Sequence, residues 1–155
     1  MSKDAVLAGL QAKVGQAIHL GDWVTIDQRR IDQFADATED HQWIHVDKER
    51  AQAESPYKDT IAHGFLTLSM LPRLTREGSG EEPRYPGVKM GVNYGLNRVR
   101  FPAPVMVNSR IRSRSTLKSV EEVSGGLQLV REVTIEVEGS DKPCCVAESI
   151  ARLYF

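Results

Sequence analysis

Two short runs carry the residues that could do chemistry. In DHQWIH, residues 40 to 45, an acid, Asp40, and a base, His45, stand five positions apart around an aromatic. In AHGF, residues 62 to 65, a His-Gly pair opens an apolar stretch predicted to be helical. A carboxylate and an imidazole tucked among apolar neighbours have their proton affinities pushed toward the range useful for proton transfer. The first amides of a helix lack intrahelical acceptors, and glycine lets a ligand come close to the backbone. Together these parts suit proton transfer beside a carbonyl. On spacing alone, Asp40 reads equally well as a turn or capping aspartate, and His45 as a structural histidine.

The elements that must position these residues follow from periodicity. Residues 4 to 13 read as a short amphipathic helix. Asp22 to Ile26 reads as a strand entered through Gly21. Asp27 is a candidate N-cap for a helix over 28–37, whose Ile31, Phe34 and Ala35 share one face. Asp47 caps a second short helix, 48–53, which Ser55-Pro56 ends. His63 to Leu74 carries Phe65, Leu66, Leu68, Met70, Leu71 and Leu74 in nearly every direction, and a helix apolar all round is buried all round. Pro72 loosens its end. Residues 76–87, REGSGEEPRYPG, read as an exposed, mobile loop.

From Val88 the pattern becomes β, with strands about 88–101, 105–121, 126–139 and 143–155. Leu127, Leu129, Val133, Ile135 and Val137 alternate with polar residues, interrupted at Val130 and Arg131. Turn signals at Gly125-Gly126 and 139–142 make neighbouring strands antiparallel. The predicted fold class is α+β: a curved antiparallel sheet wrapped around a long buried helix, in one domain spanning 1–155. Its long outer strand edge favours pairing into a homodimer.

Composition narrows the function. The chain has 155 residues with a formal net charge of −1, 41% hydrophobic and 26% charged. That charge lacks the basic excess of a nucleic-acid partner. No apolar run approaches the ~20 residues of a membrane span, and the N-terminus lacks the apolar core of a signal peptide, so the expected location is cytoplasmic. Cys144 and Cys145 are adjacent and read as small buried strand residues. His41 and His45 stand at i, i+4, but no HExxH or comparable ligand set occurs, and no metal is expected. Arg110, Arg112 and Arg114 share one strand face, read chiefly as a solvated outer surface, the other reading being a patch for ligand phosphates. No G-x-G-x-x-G or Walker run is present.

Asp40 and His45 at this separation, followed by AHGF and Ser69, resemble the MaoC-like dehydratases, which include the (R)-specific enoyl-CoA hydratases and have the hot-dog fold. FADATEDHQWIHVD, TIAHGFLTLSMLPRL, NYGLNRVRFPAPV and KPCCVAESI are similar to the nodulation-protein-N-like branch. The resemblance implies reversible syn hydration of trans-2-enoyl thioesters to (3R)-hydroxyacyl thioesters. Asp40 would take a proton from the attacking water, while His45 would hold that water and pass a proton toward C2. The Gly64 amide would stabilise the enolate oxygen, and Ser69 would orient Asp40. Trp43, His63 and Phe65 are pocket candidates. The substrate would be a coenzyme A or acyl-carrier-protein thioester, with no cofactor. The family's run has Gly-Asp-x-Asn-Pro-x-His, whereas Glu39 precedes Asp40 here and Gln42-Trp43 replaces Asn-Pro. A hot-dog acyl-CoA thioesterase, or a non-catalytic acyl-thioester binding module, would carry many of the same features.

Overall fold

A computed structural model describes residues 2–76 and 84–155. Capping side chains start three of its helices. Helix α1 (Lys3–Gln11) begins where the Ser2 side chain accepts from the Ala5 amide. Helix α2 (Gln28–Thr38) begins at Asp27, which accepts from the Arg30 amide at 2.9 Å. Its Ile31 and Ala35 are fully buried, as the 28–37 periodicity requires. A single-turn helix α3 (Trp43–Val46) follows, which the sequence did not reveal. Helix α4 (Lys48–Glu54) is capped by Asp47 and stops before Pro56.

The strands are β1 (Ala17–Leu20), β2 (Val24–Ile26), β3 (Met90–Arg100), β4 (Ser109–Val123), β5 (Gly126–Val137) and β6 (Cys145–Tyr154). They form one antiparallel sheet in the order β1-β4-β5-β6-β3, with β2 also pairing β4. The inward register of β4 and β5 buries Ile111, Leu117, Leu127, Leu129, Val133 and Ile135. The register shifts between Leu117 and Ser119, opposite Arg131 and Val130. This bulge coincides with the interruption in the β5 pattern, and such bulges bend a strand. Arg131 keeps the inward parity and faces a cavity rather than the packed core.

One expectation is corrected. The segment after His63 is two short helices, α5 (Gly64–Ser69) and α6 (Leu71–Leu74), rather than one long one. Pro72 lies in the first turn of α6, and its missing N–H cannot continue the α5 ladder. Nor is the segment buried all round. Leu66, Thr67, Met70 and Leu74 face the sheet, while Phe65 is 70% exposed. The α6 end is tied to the sheet by hydrogen bonds to the Leu74 carbonyl from Ser113 Oγ (2.7 Å) and His19 Nε2 (3.2 Å). Gly21 passes so close to that carbonyl that any side chain there would strike it.

The outward sheet face is polar. Arg112 and Arg114 both pair with Glu136, Arg110 pairs with Glu138, and Lys118 with Glu148. The arginines are thus engaged in cross-strand ion pairs, the reading of a solvated surface. At one sheet end β3 is exposed along most of its length, with Met90, Val92, Tyr94 and Leu96 open to solvent. Of the expected 76–87 loop, residues 77–83 lie outside the described residues.

Candidate active site

The site begins where α2 ends. Glu39 caps that helix in the left-handed region, φ 62°, and turns the chain so that Asp40 starts a separate segment. Asp40 Oδ1 accepts from the Gln42 amide at 3.3 Å, the turn contact expected of an aspartate there. That contact leads into α3, which carries His45 inward to 7% exposure. Gln28 sets α3 in place. Its Nε2 donates to the His45 carbonyl at 2.8 Å, and its Oε1 accepts from Thr60 Oγ1 at 2.6 Å. The sequence offered no sign of this role, since Gln28 reads only as the first residue after a cap.

His45 Nδ1 lies 2.6 Å from the Ile61 carbonyl. A carbonyl only accepts, so Nδ1 carries the proton and the neutral ring presents a bare Nε2. Burial holds this imidazole below the ordinary histidine range; the Ile61 hydrogen bond opposes that, neighbouring His63 adds to it, and Asp40 opposes it.

His63, only 3% exposed, donates from Nε2 to the Asp40 main-chain carbonyl at 2.9 Å. Its ring stacks on His45 with centroids 3.8 Å apart and planes 24° apart. One ligand-type atom each of Asp40, His45 and His63 falls within a mutual 4.8 Å. In a stack this close to parallel, the in-plane lone pairs of the two imidazoles do not converge on one tetrahedral centre, so the trio is a poor fit to a zinc ion. It is well suited to holding a small polar molecule between carboxylate and imidazole.

A cavity of about 290 Å³ opens beside His45, with Tyr57, Gly64, Thr67, Phe101 and Cys144 in its wall. The Phe101 ring covers Gly64, leaving 3.2 Å to where a Cβ would sit. Asp40, His45, His63 and Gly64 are therefore brought to one region. Three other candidates are not. Ser69 Oγ donates back to the Leu66 carbonyl at 2.8 Å and lines a different cavity, so its expected contact with Asp40 is absent: the hydroxyl takes the bond its own helix turn offers. Trp43 lies under the Arg50 guanidinium, 4.3 Å from its ring centroid, and outside the cavity wall. Phe65 packs edge-on against Phe101 at 6.2 Å, outside that wall within a single chain.

The cavity that Ser69 lines, about 350 Å³, lies between α5–α6 and the sheet, walled by Leu68, Leu71, Leu96, Val133 and Ile150, with Asn93 and Arg131 supplying polar groups. Cys144 and Cys145 are buried, and burial raises their thiols to about 12 and about 11.

A sequence model described as "MaoC like domain" matches residues 10–139. The chain belongs to the MaoC-like dehydratase family. It is 54% identical to 3-hydroxyacyl-thioester dehydratase Z of Mycobacterium tuberculosis, over 94% of each chain. It is 46% identical to Nodulation protein N of Rhizobium leguminosarum bv. viciae, over 96% of this chain and 91% of the relative. Its fold is similar to that of an (R)-hydratase from A. caviae, with a TM-score of 0.67 at 20% identity, covering 90% of this chain and 99% of that one. The architecture is accordingly a hot-dog fold, with the sheet curved around the α5–α6 segment. No described helix is long and apolar enough to cross a membrane.

Proposed function

We propose that this MaoC-like protein is a hydro-lyase adding water reversibly to trans-2-enoyl thioesters, giving (3R)-hydroxyacyl thioesters. The observation that carries the reading is the grouping of Asp40 and His45 beside a cavity whose wall includes Gly64. The relative named 3-hydroxyacyl-thioester dehydratase Z supports a thioester substrate; the (3R) outcome rests on the motif resemblance.

In this reading a water sits between the Asp40 carboxylate and His45 Nε2. The hydrogen bond from His45 Nδ1 to Ile61 favours giving both proton transfers to His45. Nε2 takes a proton as the water oxygen bonds to C3, and the electron pair of the C2–C3 double bond moves onto the thioester as an enolate. The imidazolium then returns that proton to C2 on the same face, which balances the addition of one water. Asp40 orients the water and stabilises the transient imidazolium, and the Gly64 amide meets the enolate oxygen. With α5 only six residues long, that stabilisation is assigned to the amide hydrogen bond rather than to a helix dipole. The scheme draws on protein groups and water alone, and coenzyme A and acyl carrier protein are both admissible carriers.

The 350 Å³ cavity along α5–α6 is the proposed seat of the acyl tail, being apolar for most of its wall and within the size range of small-molecule sites. The exposed β3 edge with Met90, Val92, Tyr94 and Leu96 favours assembly as a homodimer. Presenting enoyl-CoAs and saturated acyl-CoAs of several chain lengths with a thiol trap tests the function. Loss of enoyl absorbance without thiol release is expected; thiol release from saturated substrates would instead make the protein a thioesterase, and binding without any product would make it a non-catalytic module.

A further inference from the structure

His63 touches both halves of the Asp40–His45 pair. Its Nε2–H holds the main-chain carbonyl of Asp40 at 2.9 Å rather than that residue's carboxylate. Its ring lies against His45 at 3.8 Å, and Phe34 of α2 tilts onto it at 4.9 Å and 58°. The imidazole is thereby fixed between α2 and α3. Its Nδ1 is buried with no hydrogen-bond partner among the described residues. An unmatched buried polar atom costs about 1–3 kcal/mol, so an apolar ring would fill this space at less cost if filling were all it did.

We propose that His63 is a positioning residue for the Asp40–His45 pair, anchoring the Asp40 peptide through Nε2–H and setting the plane of the His45 ring by stacking. The inference rests on the reading of Asp40 and His45 as the reacting groups. It gives His63 work distinct from lining a pocket. It also accounts for Asp40 being held firmly by its backbone while its side chain stays exposed.

The stack has an electrostatic consequence. His45 faces Asp40 from the connecting segment, His63 from the start of α5, and Tyr57 and Cys144 across the cavity. After burial, the effect of the Ile61 hydrogen bond comes next, and then His63, which lowers the proton affinity of His45. Removing the second imidazole takes away a lowering influence, so His45 protonates at higher pH.

Two substitutions separate anchor from stack. His63→Gln keeps an N–H donor at similar reach and loses the ring; His63→Phe keeps the ring and loses the donor. Turnover and KM on an enoyl-CoA, melting temperature, and NMR titration of His45 are measured for both variants and the wild type. His63→Phe is expected to lose kcat by roughly 10- to 100-fold with KM little changed, and to shift the Asp40 carbonyl carbon resonance. His63→Gln is expected to recover most of that loss and to move the His45 titration upward. Wild-type kcat in His63→Phe, or equal losses in both variants that track melting temperature with the His45 titration unmoved, would overturn the inference. A wild-type protein that hydrates no enoyl thioester would instead sink the hydratase reading. The His45 titration and the Asp40 resonance would still decide the positioning role.

Discussion

Gly64→Ala separates a backbone site from a packing glycine. A Cβ at position 64 would meet three Phe101 ring atoms at 3.2 to 3.3 Å, where carbon atoms prefer about 3.5–4.0 Å. The ring must therefore withdraw by about 0.3 Å. Phe101 is 39% exposed, so the shift costs less than the roughly 1–3 kcal/mol of overpacking a closed core. Gly64 is not among the positive-φ glycines, and replacing glycine in a helix at ordinary φ returns about 0.5–1 kcal/mol. The two effects nearly cancel. Stability should stay within about 1 kcal/mol, a melting shift of no more than about 2–4 °C. Catalysis has no such compensation. The methyl group stands at the cavity wall where the thioester carbonyl is proposed to meet the Gly64 amide, and displacing a reacting group by 1 Å can cost ~10² in rate. Steady-state hydration of an enoyl-CoA, with a melting curve alongside, should show kcat/KM down by roughly 10- to 100-fold at near-constant stability. A kcat/KM within about threefold of wild type, which is under 1 kcal/mol of transition-state binding, would refute the placement of the carbonyl at Gly64.

Other consequences are as direct. Glu39 occupies the left-handed region at φ 62°, where a non-glycine residue costs about 1–2 kcal/mol, so Glu39→Gly should raise stability by about 0.5–1 kcal/mol after the glycine's own entropy cost; a lower denaturation midpoint would show that the Glu39 side chain contributes more than its backbone costs. Burial lowers the proton affinity of His45 in the folded state, so between its folded and unfolded values the unfolded chain binds more protons. The stability His45 contributes is present above the unfolded histidine value and is lost as pH falls through the window below it; His45→Gln should flatten that part of the stability–pH curve, and an unchanged slope would contradict the assignment. Cys144 and Cys145, with thiols raised to about 12 and about 11, should resist a disulfide reagent in the native protein and both react in denaturant. Rapid native labelling of Cys144 would mean that the cavity wall opens to solvent.

Local chemistry explains which parts of the fold were legible in the sequence. Asp27 and Asp47 announced their helices because a cap is a contact within three residues. The alternation in β5 announced a half-buried strand because period two is intrinsic to the backbone. The error lay where burial depends on a neighbour outside the segment. The all-round apolarity of 63–74 suggested a helix enclosed on every side, yet Phe65 and the β3 edge stand open in one chain, and Pro72 divides the segment in two. Strand β1 escaped because its four residues pair with β4 about a hundred positions away. At the site, Asp40, His45 and Gly64 could be picked out by residue type and spacing. Gln28 and the His63 stack could not, since their roles are contacts between distant segments. Ser69 was assigned to Asp40 by resemblance; in this chain its hydroxyl bonds to the Leu66 carbonyl.

The central claim is that Asp40 and His45 hydrate an enoyl thioester. Crotonyl-CoA hydration, followed by loss of enoyl absorbance with the product configuration assigned, tests it in the wild type and in Asp40→Asn. The account predicts (3R)-hydroxybutyryl-CoA from the wild type, and a folded Asp40→Asn protein slower by roughly 10²–10³-fold, the loss of one group that orients the water and stabilises the charge on His45. Near wild-type turnover in Asp40→Asn would contradict it.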